Sequence, residues 1–252
     1  MRRFFIDPGN INKECATITE QEARHLAFSL RLRPGNRIEL FDGMGMVYQA
    51  EITAIGKSTV ETRILNRQSH QEQPPFLSVA QAVVKGKKMD LIVQKATELG
   101  ITALQPIIAQ HCDIKAVPAS QIARWQRIAH EACKQSGRPT PLLCPAALPL
   151  AQLLAAPDEA TARIIFWEGE TTTTLHDLPE LNSTNRVLFL IGPEGGFSDQ
   201  EAESAIDHGF RPVSLGPRIL RAETATIAAM AILQFLLGNL RPKSPSLTRD
   251  LP

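Results

Sequence analysis

A chain of 252 residues, 43% hydrophobic and 21% charged, is long enough to bury one large core or two modest ones. No apolar run approaches the roughly 20 residues of a membrane-spanning helix, and Met1–Asp7 lacks a leader's apolar stretch, so a cytoplasmic protein with no membrane partner is expected. A net charge of +1 excludes a polyanion grip spread over the whole surface, and the cysteines, Cys15, Cys112, Cys133 and Cys144, lack CxxC spacing and read as reduced thiols, with no metal.

Residues 1–70 read as mostly β. A short helix opens at the capping box Thr19/Glu22, Arg37–Asp42 alternates as a strand, Asp42-Gly43 turns, and Val47–Ile55 pairs back before Gly56-Lys57 turns again. Thr59–Leu65 completes a meander, and short strands with tight turns predict a small barrel. The polar, proline-rich stretch Ser69–Pro75 marks a linker. Beyond it, expected strands at Leu77–Val84, Ile101–Ile108, Arg163–Trp167, Val187–Ile191 and Pro212–Leu215 alternate with helices near Met89–Leu99, Ala119–Lys134, Leu150–Leu154 and Asp199–His208. That alternation predicts an α/β domain with a parallel sheet. The final helix, Thr224–Leu237, is apolar nearly all round and needs burial on several sides, within the domain or against a second subunit. The division that follows is 1–72, 73–240 and a loose, proline-containing tail at 241–252.

Two loops carry the chemistry. After the apolar run Arg186–Ile191 comes Gly192-Pro193-Glu194-Gly195-Gly196-Phe197, then Ser198 with Glu201 three residues on, a capping box that starts a helix. Glycines at a strand end let backbone groups approach a ligand without Cβ interference. No lysine followed by Ser/Thr closes the loop, so a nucleoside triphosphate cradle is not expected; the glycine spacing also departs from GxGxxG, with Pro193 where the tight turn would sit. A structural turn remains the plain reading of this loop alone. The segment Val213–Thr224 repeats the arrangement, a short apolar run ending in Gly216-Pro217 with a long helix after it. Two such loops at the carboxyl ends of adjacent parallel strands make a ligand crevice.

These residues resemble a known signature. Gly192-Pro193-Glu194-Gly195-Gly196-Phe197-Ser198 and Leu215-Gly216-Pro217-Arg218-Ile219-Leu220-Arg221-Ala222-Glu223-Thr224-Ala225 are similar to the motifs of the ribosomal RNA uracil-N3 methyltransferase family (RsmE) of the SPOUT superfamily. Lys95-Ala96-Thr97-Glu98-Leu99-Gly100 and Gln135-Ser136-Gly137-Arg138 agree in order, while Lys134 stands where the family more often has an acid. The resemblance implies a PUA-like RNA-binding barrel at 1–72, a methyltransferase domain with a deep C-terminal trefoil knot at 73–240, a homodimer, S-adenosyl-L-methionine as cofactor, and a uridine of small-subunit (16S) ribosomal RNA as acceptor. A related enzyme methylating another RNA, such as a transfer RNA ribose 2′-O, and a non-catalytic RNA-binding assembly factor are the competing readings.

Methylating N3 of uracil requires removal of its proton and stabilisation of the charge left behind. Arg221, always charged, suits the second role. Glu223, near a helix N-terminus, is expected to brace Arg221, and Glu194 is the alternative carboxylate, unless it merely receives amides of its own turn. Cofactor contacts, from backbone more than side chains, are expected from Leu190, Ile191, Gly192, Gly195 and Gly196 in one loop and Leu215, Gly216, Ile219 and Leu220 in the other, with Trp167 and Glu168 as a third wall, Trp167 having core packing as its plain alternative. Basic clusters at Arg24–Arg37 and Lys85–Lys88 suggest phosphate contacts. The RNA-facing set is Arg2, Arg3, His25, Arg31, Arg33, Lys85, Lys88 and Arg138, with a structural role the alternative for His25.

Overall fold

The computed structural model describes residues 1–156, 160 and 162–241; the expected loose tail therefore lies, apart from Arg241, outside the described residues. Two six-stranded sheets organise the chain. The first uses β1 (Arg2–Phe5), β2 (Ile11–Asn12), β3 (Cys15–Thr19), β4 (Arg37–Phe41), β5 (Met46–Ile55) and β6 (Thr59–Ser69), in the order β1-β4-β5-β6-β3-β2. The meander of β4 to β6 is where alternation and turns put it. β1 was not expected; it runs parallel to β4, with Phe4 and Ile6 buried in the core beneath the sheet beside Ile38, Leu40 and Ile52. A short α1 (Glu20–Arg24) continues into a π-helical turn at His25–Ser29, and Leu26 anchors that turn in the same core. The carboxylate of Glu22, expected to cap this helix, meets Lys134.

The second sheet is parallel throughout and contains β7 (Phe76–Ala82), β8 (Ala103–Ile108), β9 (Leu148–Pro149), β10 (Ala162–Phe166), β11 (Arg186–Ile191) and β12 (Arg211–Val213), ordered β12-β10-β11-β7-β8-β9. Its helices are α2 (Lys88–Glu98), α3 (Ala119–Ser136), α4 (Leu150–Ala155), α5 (Asp199–Asp207) and α6 (Ala222–Leu236), each within a few residues of its expected span. The period of two along β11 separates the faces: Val187, Phe189 and Ile191 join the large core with residues of α2, α3 and α6, whereas Leu190 joins Ile165 and Ala80 against residues of α4 and α5. Both faces being covered explains why these strands read as continuous apolar runs. Among the described residues no helix is long and apolar enough to cross a membrane, and all four cysteines are free thiols.

The two sheets meet along α3. Phe5 of β1 contacts His130 edge-to-face at 4.6 Å, and Cys133 packs with Phe41 and Val47. Burial raises the Cys133 thiol to about 11, so it stays protonated and inert at neutral pH. Arg138 is buried at the junction, donating to the carbonyl of Ile101 at 2.6 Å and to Glu72 of the linker at 2.7 Å. Its place in the RNA-facing set is therefore corrected: its guanidinium is committed to joining the linker to the second sheet.

Candidate functional site

Three neighbouring strands, β12, β10 and β11, end side by side, and the loops leaving their carboxyl ends enclose a cavity of about 630 Å³. This is the position at which open parallel sheets bind ligands, and the volume falls within the roughly 300–1,000 Å³ of small-molecule sites. The walls include Trp167, Glu168, Ile191, Gly192, Gly195, Gly196, Leu215, Gly216, Ile219 and Leu220, all expected from sequence. Leu190 is the exception. The alternation of β11 turns its side chain fully into the opposite core, which leaves its backbone alone for the contact expected of it.

Local chemistry builds each wall. In the loop after β11, the Gly196 amide donates to the Pro193 carbonyl at 3.0 Å, and Gly196 sits at φ +69°, where an L side chain would be strained. A Cβ on Gly192 would come within 3.1 Å of the Phe197 amide nitrogen and 3.2 Å of the Gly196 carbonyl carbon, so any side chain there would press the turn open by a few tenths of an ångström. The predicted capping box is present: the Ser198 amide donates to Glu201 at 3.1 Å and the Glu201 amide to Ser198 Oγ at 3.3 Å. Replacing Ser198 with alanine is expected to cost about 1 kcal/mol, read as a lowered Tm.

In the second loop Gly216 takes φ +104° and its amide donates to Ser214 Oγ at 3.2 Å. The third loop turns on Glu170, which accepts from the Thr172 and Thr173 amides at 2.7 and 2.9 Å; these bonds hold its carboxyl down at about 2. Gly169 lies where a Cβ would strike the Trp167 indole, so Trp167 is held half-exposed on the cavity wall.

The catalytic set is arranged differently from expectation. Glu194 lines the cavity, and its Oε1 accepts from Lys88 Nζ at 2.9 Å and from the Lys85 amide at 3.1 Å. Burial pushes its carboxyl upward, but the hydrogen bonds from Lys88 and from the Lys85 and its own amides outweigh this and hold it below the usual range. Glu223 stands 4.0 Å from the same Lys88 Nζ, and its Oε2 is buried without a hydrogen bond. The expected brace between Glu223 and Arg221 is thus replaced by a Glu194–Lys88–Glu223 cluster. Arg221 caps α6 at the cavity's edge, between the lining residues Leu220 and Ala222; it is exposed, and its side chain meets no hydrogen-bond or ion-pair partner among the described residues. Arg218, not singled out from sequence, lines the cavity itself.

The lysines come from the loop after β7, which neighbours β11. Val84-Lys85-Gly86-Lys87-Lys88 is one more strand–glycine–helix unit, with Gly86 at φ +65°; that signal was visible, although the lysines read as a basic patch. Lys88 faces the two glutamates and Lys85 pairs with Asp113 at 2.7 Å, so both lysines expected to face RNA already meet carboxylates. Across the loop, His111 Nδ1 lies 3.0 Å from the Gly195 carbonyl. Arg3 is also withdrawn: it is buried over the Phe41 ring at 4.7 Å and within 3.1 Å of Glu39. Arg2, His25, Arg31 and Arg33 are exposed on the first unit.

A nucleoside with a cationic side arm fits this cavity. Trp167, Ile191, Leu215, Ile219 and Leu220 offer apolar surface for a base, and four carboxylates, from Glu168, Glu170, Glu194 and Asp199, stand against the single cation of Arg218. Gly192 and Gly196 leave backbone uncovered where a Cβ would fill the space.

Comparison with known proteins agrees with this geometry. A family described as RNA methyltransferase domain matches residues 71–234, and one described as RNA methyltransferase PUA domain matches residues 18–65. The chain is 34% identical to a ribosomal RNA small subunit methyltransferase E of Synechocystis sp., over 94% of this chain and 78% of that protein. It is 33% identical to the protein of that name from Buchnera aphidicola, over 89% and 92% respectively. Among solved structures, a ribosomal RNA small subunit methyltransferase E from Neisseria gonorrhoeae bound to S-adenosyl methionine superposes with a TM-score of 0.85 at 36% identity, covering 96% of this chain and 100% of that one. A putative methyltransferase from Legionella pneumophila in complex with the same cofactor gives a TM-score of 0.83 at 31% identity, covering 92% and 96%.

Proposed function

The chain belongs to the ribosomal RNA small subunit methyltransferase E family, and from that membership we propose how its site transfers a methyl group to N3 of one uridine in 16S ribosomal RNA. It is an S-adenosylmethionine-dependent methyltransferase. The observation that carries the reading is the cavity at the ends of β12, β10 and β11, with its apolar walls, uncovered glycine backbone and excess of carboxylates. When bound, the cofactor supplies an electrophilic methyl on a sulfonium; the protein's task is alignment and charge. Trp167, Ile191 and Leu220 would hold the adenine, amides of the glycine loops would read its edge, and Glu168 would take the ribose hydroxyls. Methylation of N3 would require its proton to leave to a carboxylate or a water, with the charge spread over the flanking carbonyl oxygens. Arg221 stabilises that charge; Glu194 is the carboxylate in the cavity, and Glu223 shares its lysine.

This assignment is tested by incubating the protein with S-adenosylmethionine and small ribosomal subunits from cells that lack it, then digesting the RNA for nucleoside mass spectrometry. N3-methyluridine is expected. A 2′-O-methyl nucleoside would move the acceptor to ribose, and no binding of the cofactor at millimolar concentration would remove both enzyme readings.

Lys88 gives a pH-dependent check. In Lys88→Met the burial of Glu194 remains while its cation is lost, so the carboxyl rises and reaches its ionised form only at higher pH. The acidic limb of the kcat profile is expected to move to higher pH, with turnover at neutral pH down roughly tenfold. An unmoved limb would exclude Glu194 from the reaction.

We further read residues 1–72 as the RNA-binding unit, a PUA-like barrel, and 73–240 as the methyltransferase unit with a trefoil knot, a division that the family matches at 18–65 and 71–234 support. Strand order supports the knot. β12 lies beyond β10 from β11, so the chain passes back across β10 before α6 returns to α2 and β7. A homodimer through α6 is supported by Ile232 and Phe235, large apolar side chains exposed three residues apart on that helix. The enzyme is assigned to the cytoplasm, alongside its ribosomal substrate.

A further inference from the structure

The first sheet carries a surface that shares no residue with the methyl-transfer cavity. On the π-helical turn His25–Ser29, Leu26 is fully buried while Phe28 is 70% exposed. Residues four apart lie one helical turn apart, so Arg24 and Phe28 share the solvent face opposite Leu26. His25 rests against Phe4 of β1, ring centroids 6.5 Å apart, which fixes the turn on the sheet.

The segment that follows is held in an uncommon shape. Arg31 has φ +51°, the sole positive φ at a non-glycine among the described residues. Such a conformation is disfavoured for an L residue and persists only where its surroundings enforce it. Here the Leu32 amide donates to the Leu26 carbonyl at 3.3 Å, the Arg33 amide to Asn36 Oδ1 at 2.9 Å, and the Gly35 amide to the Ile52 carbonyl of β5 at 2.8 Å. Arg31 and Arg33 are exposed and make no ion pair among the described residues, whereas Arg3, Arg124, Lys134 and Arg138 each meet a carboxylate. A water-exposed aromatic ring beside uncompensated cations on a fixed backbone is complementary to single-stranded nucleic acid, whose bases stack on the ring while phosphates meet the guanidinium groups.

We propose that Phe28 is a stacking platform for an unpaired base of the RNA substrate, with Arg24, Arg31 and Arg33 meeting the adjoining phosphates. The partner rests on the ribosomal RNA reading above; the platform rests on Phe28 and its neighbours. The test is fluorescence anisotropy with a labelled oligouridine of about a dozen nucleotides. Phe28→Leu keeps apolar bulk and removes the π face: affinity is expected to fall about tenfold, with Phe28→Trp restoring it and the salt dependence unchanged. The double variant Arg31→Ala, Arg33→Ala is expected instead to flatten the salt dependence. A labelled RNA duplex, which offers no free base, is expected to bind wild type and Phe28→Leu equally.

Wild-type affinity in Phe28→Leu, no rescue by tryptophan, or no binding of wild type to the oligouridine would each overturn the platform. So would wild-type binding to anionic phospholipid vesicles in place of RNA, which would make this a membrane surface. Failure of the methyltransferase reading looks different: no methyl incorporation into small subunits, with the Phe28 effect on the oligouridine intact.

Discussion

Arg221→Ala is expected to lower turnover by about 10²–10³ while cofactor affinity stays near its wild-type value. Deprotonated N3 shares its charge with two carbonyl oxygens, and a group that meets this charge only as it develops contributes to kcat and little to ground-state binding. Arg221 is placed for that role by what it lacks. It sits at the N-cap of α6 on the cavity's rim, exposed, its side chain unpartnered among the described residues, while Lys88 is already engaged by two glutamates. An uncommitted guanidinium can meet an incoming carbonyl without first breaking an ion pair. The rival is Arg218, which lines the cavity. Its alanine variant is expected to weaken substrate or cofactor binding with kcat largely kept. Steady-state kinetics with small subunits decides between them: near-normal turnover in Arg221→Ala, or the kcat loss falling on Arg218→Ala, would reverse the assignment.

How far the sequence alone could reach is visible in these residues. Period-two alternation, glycine loops and the Ser198/Glu201 box are local signals, and the three-loop cavity is assembled from them. The side-chain direction of Leu190 was hidden, since a strand buried on both faces reads as an unbroken apolar run and does not say which side chains face the ligand. The Glu194–Lys88–Glu223 cluster was out of reach for another reason. Lys88 lies more than a hundred residues before either glutamate and meets Glu194 only because β7 and β11 are hydrogen-bonded neighbours, an order that the spacing of charges does not encode. Arg3 and Arg138 fail in the same way: a basic residue reads as a phosphate contact until the carboxylate or carbonyl facing it is located. β1 escaped because a four-residue parallel edge strand has no hairpin partner beside it in sequence.

Gly192→Val is expected to weaken S-adenosylmethionine binding by about 10²-fold while the protein still folds. Gly192 follows β11 directly, and a Cβ there would stand 3.1 Å from the Phe197 amide nitrogen and 3.2–3.3 Å from Gly196 backbone atoms. These neighbours are main chain, fixed by the Gly196-to-Pro193 hydrogen bond, by the helix cap at Ser198 and by His111 against the Gly195 carbonyl, so they cannot yield as a flexible side-chain tip would. The turn must open instead, by some tenths of an ångström for a methyl and more for the branched valine. Opening it moves Gly195 and Gly196 relative to Leu215–Leu220 and spoils the fit of both walls at once. Because the loop lies on the surface at the end of the sheet, the cost to folding is expected to be about 1–2 kcal/mol, seen as a modest fall in Tm. Gly209, whose Cβ position is open, is the control: it sits at φ +84°, so Gly209→Ala carries backbone strain without touching the cavity. Calorimetric titration with S-adenosylmethionine on both variants separates the causes. Equal loss in the two would trace the effect to general destabilisation, and wild-type affinity in Gly192→Val would mean that the cofactor does not lie against this loop.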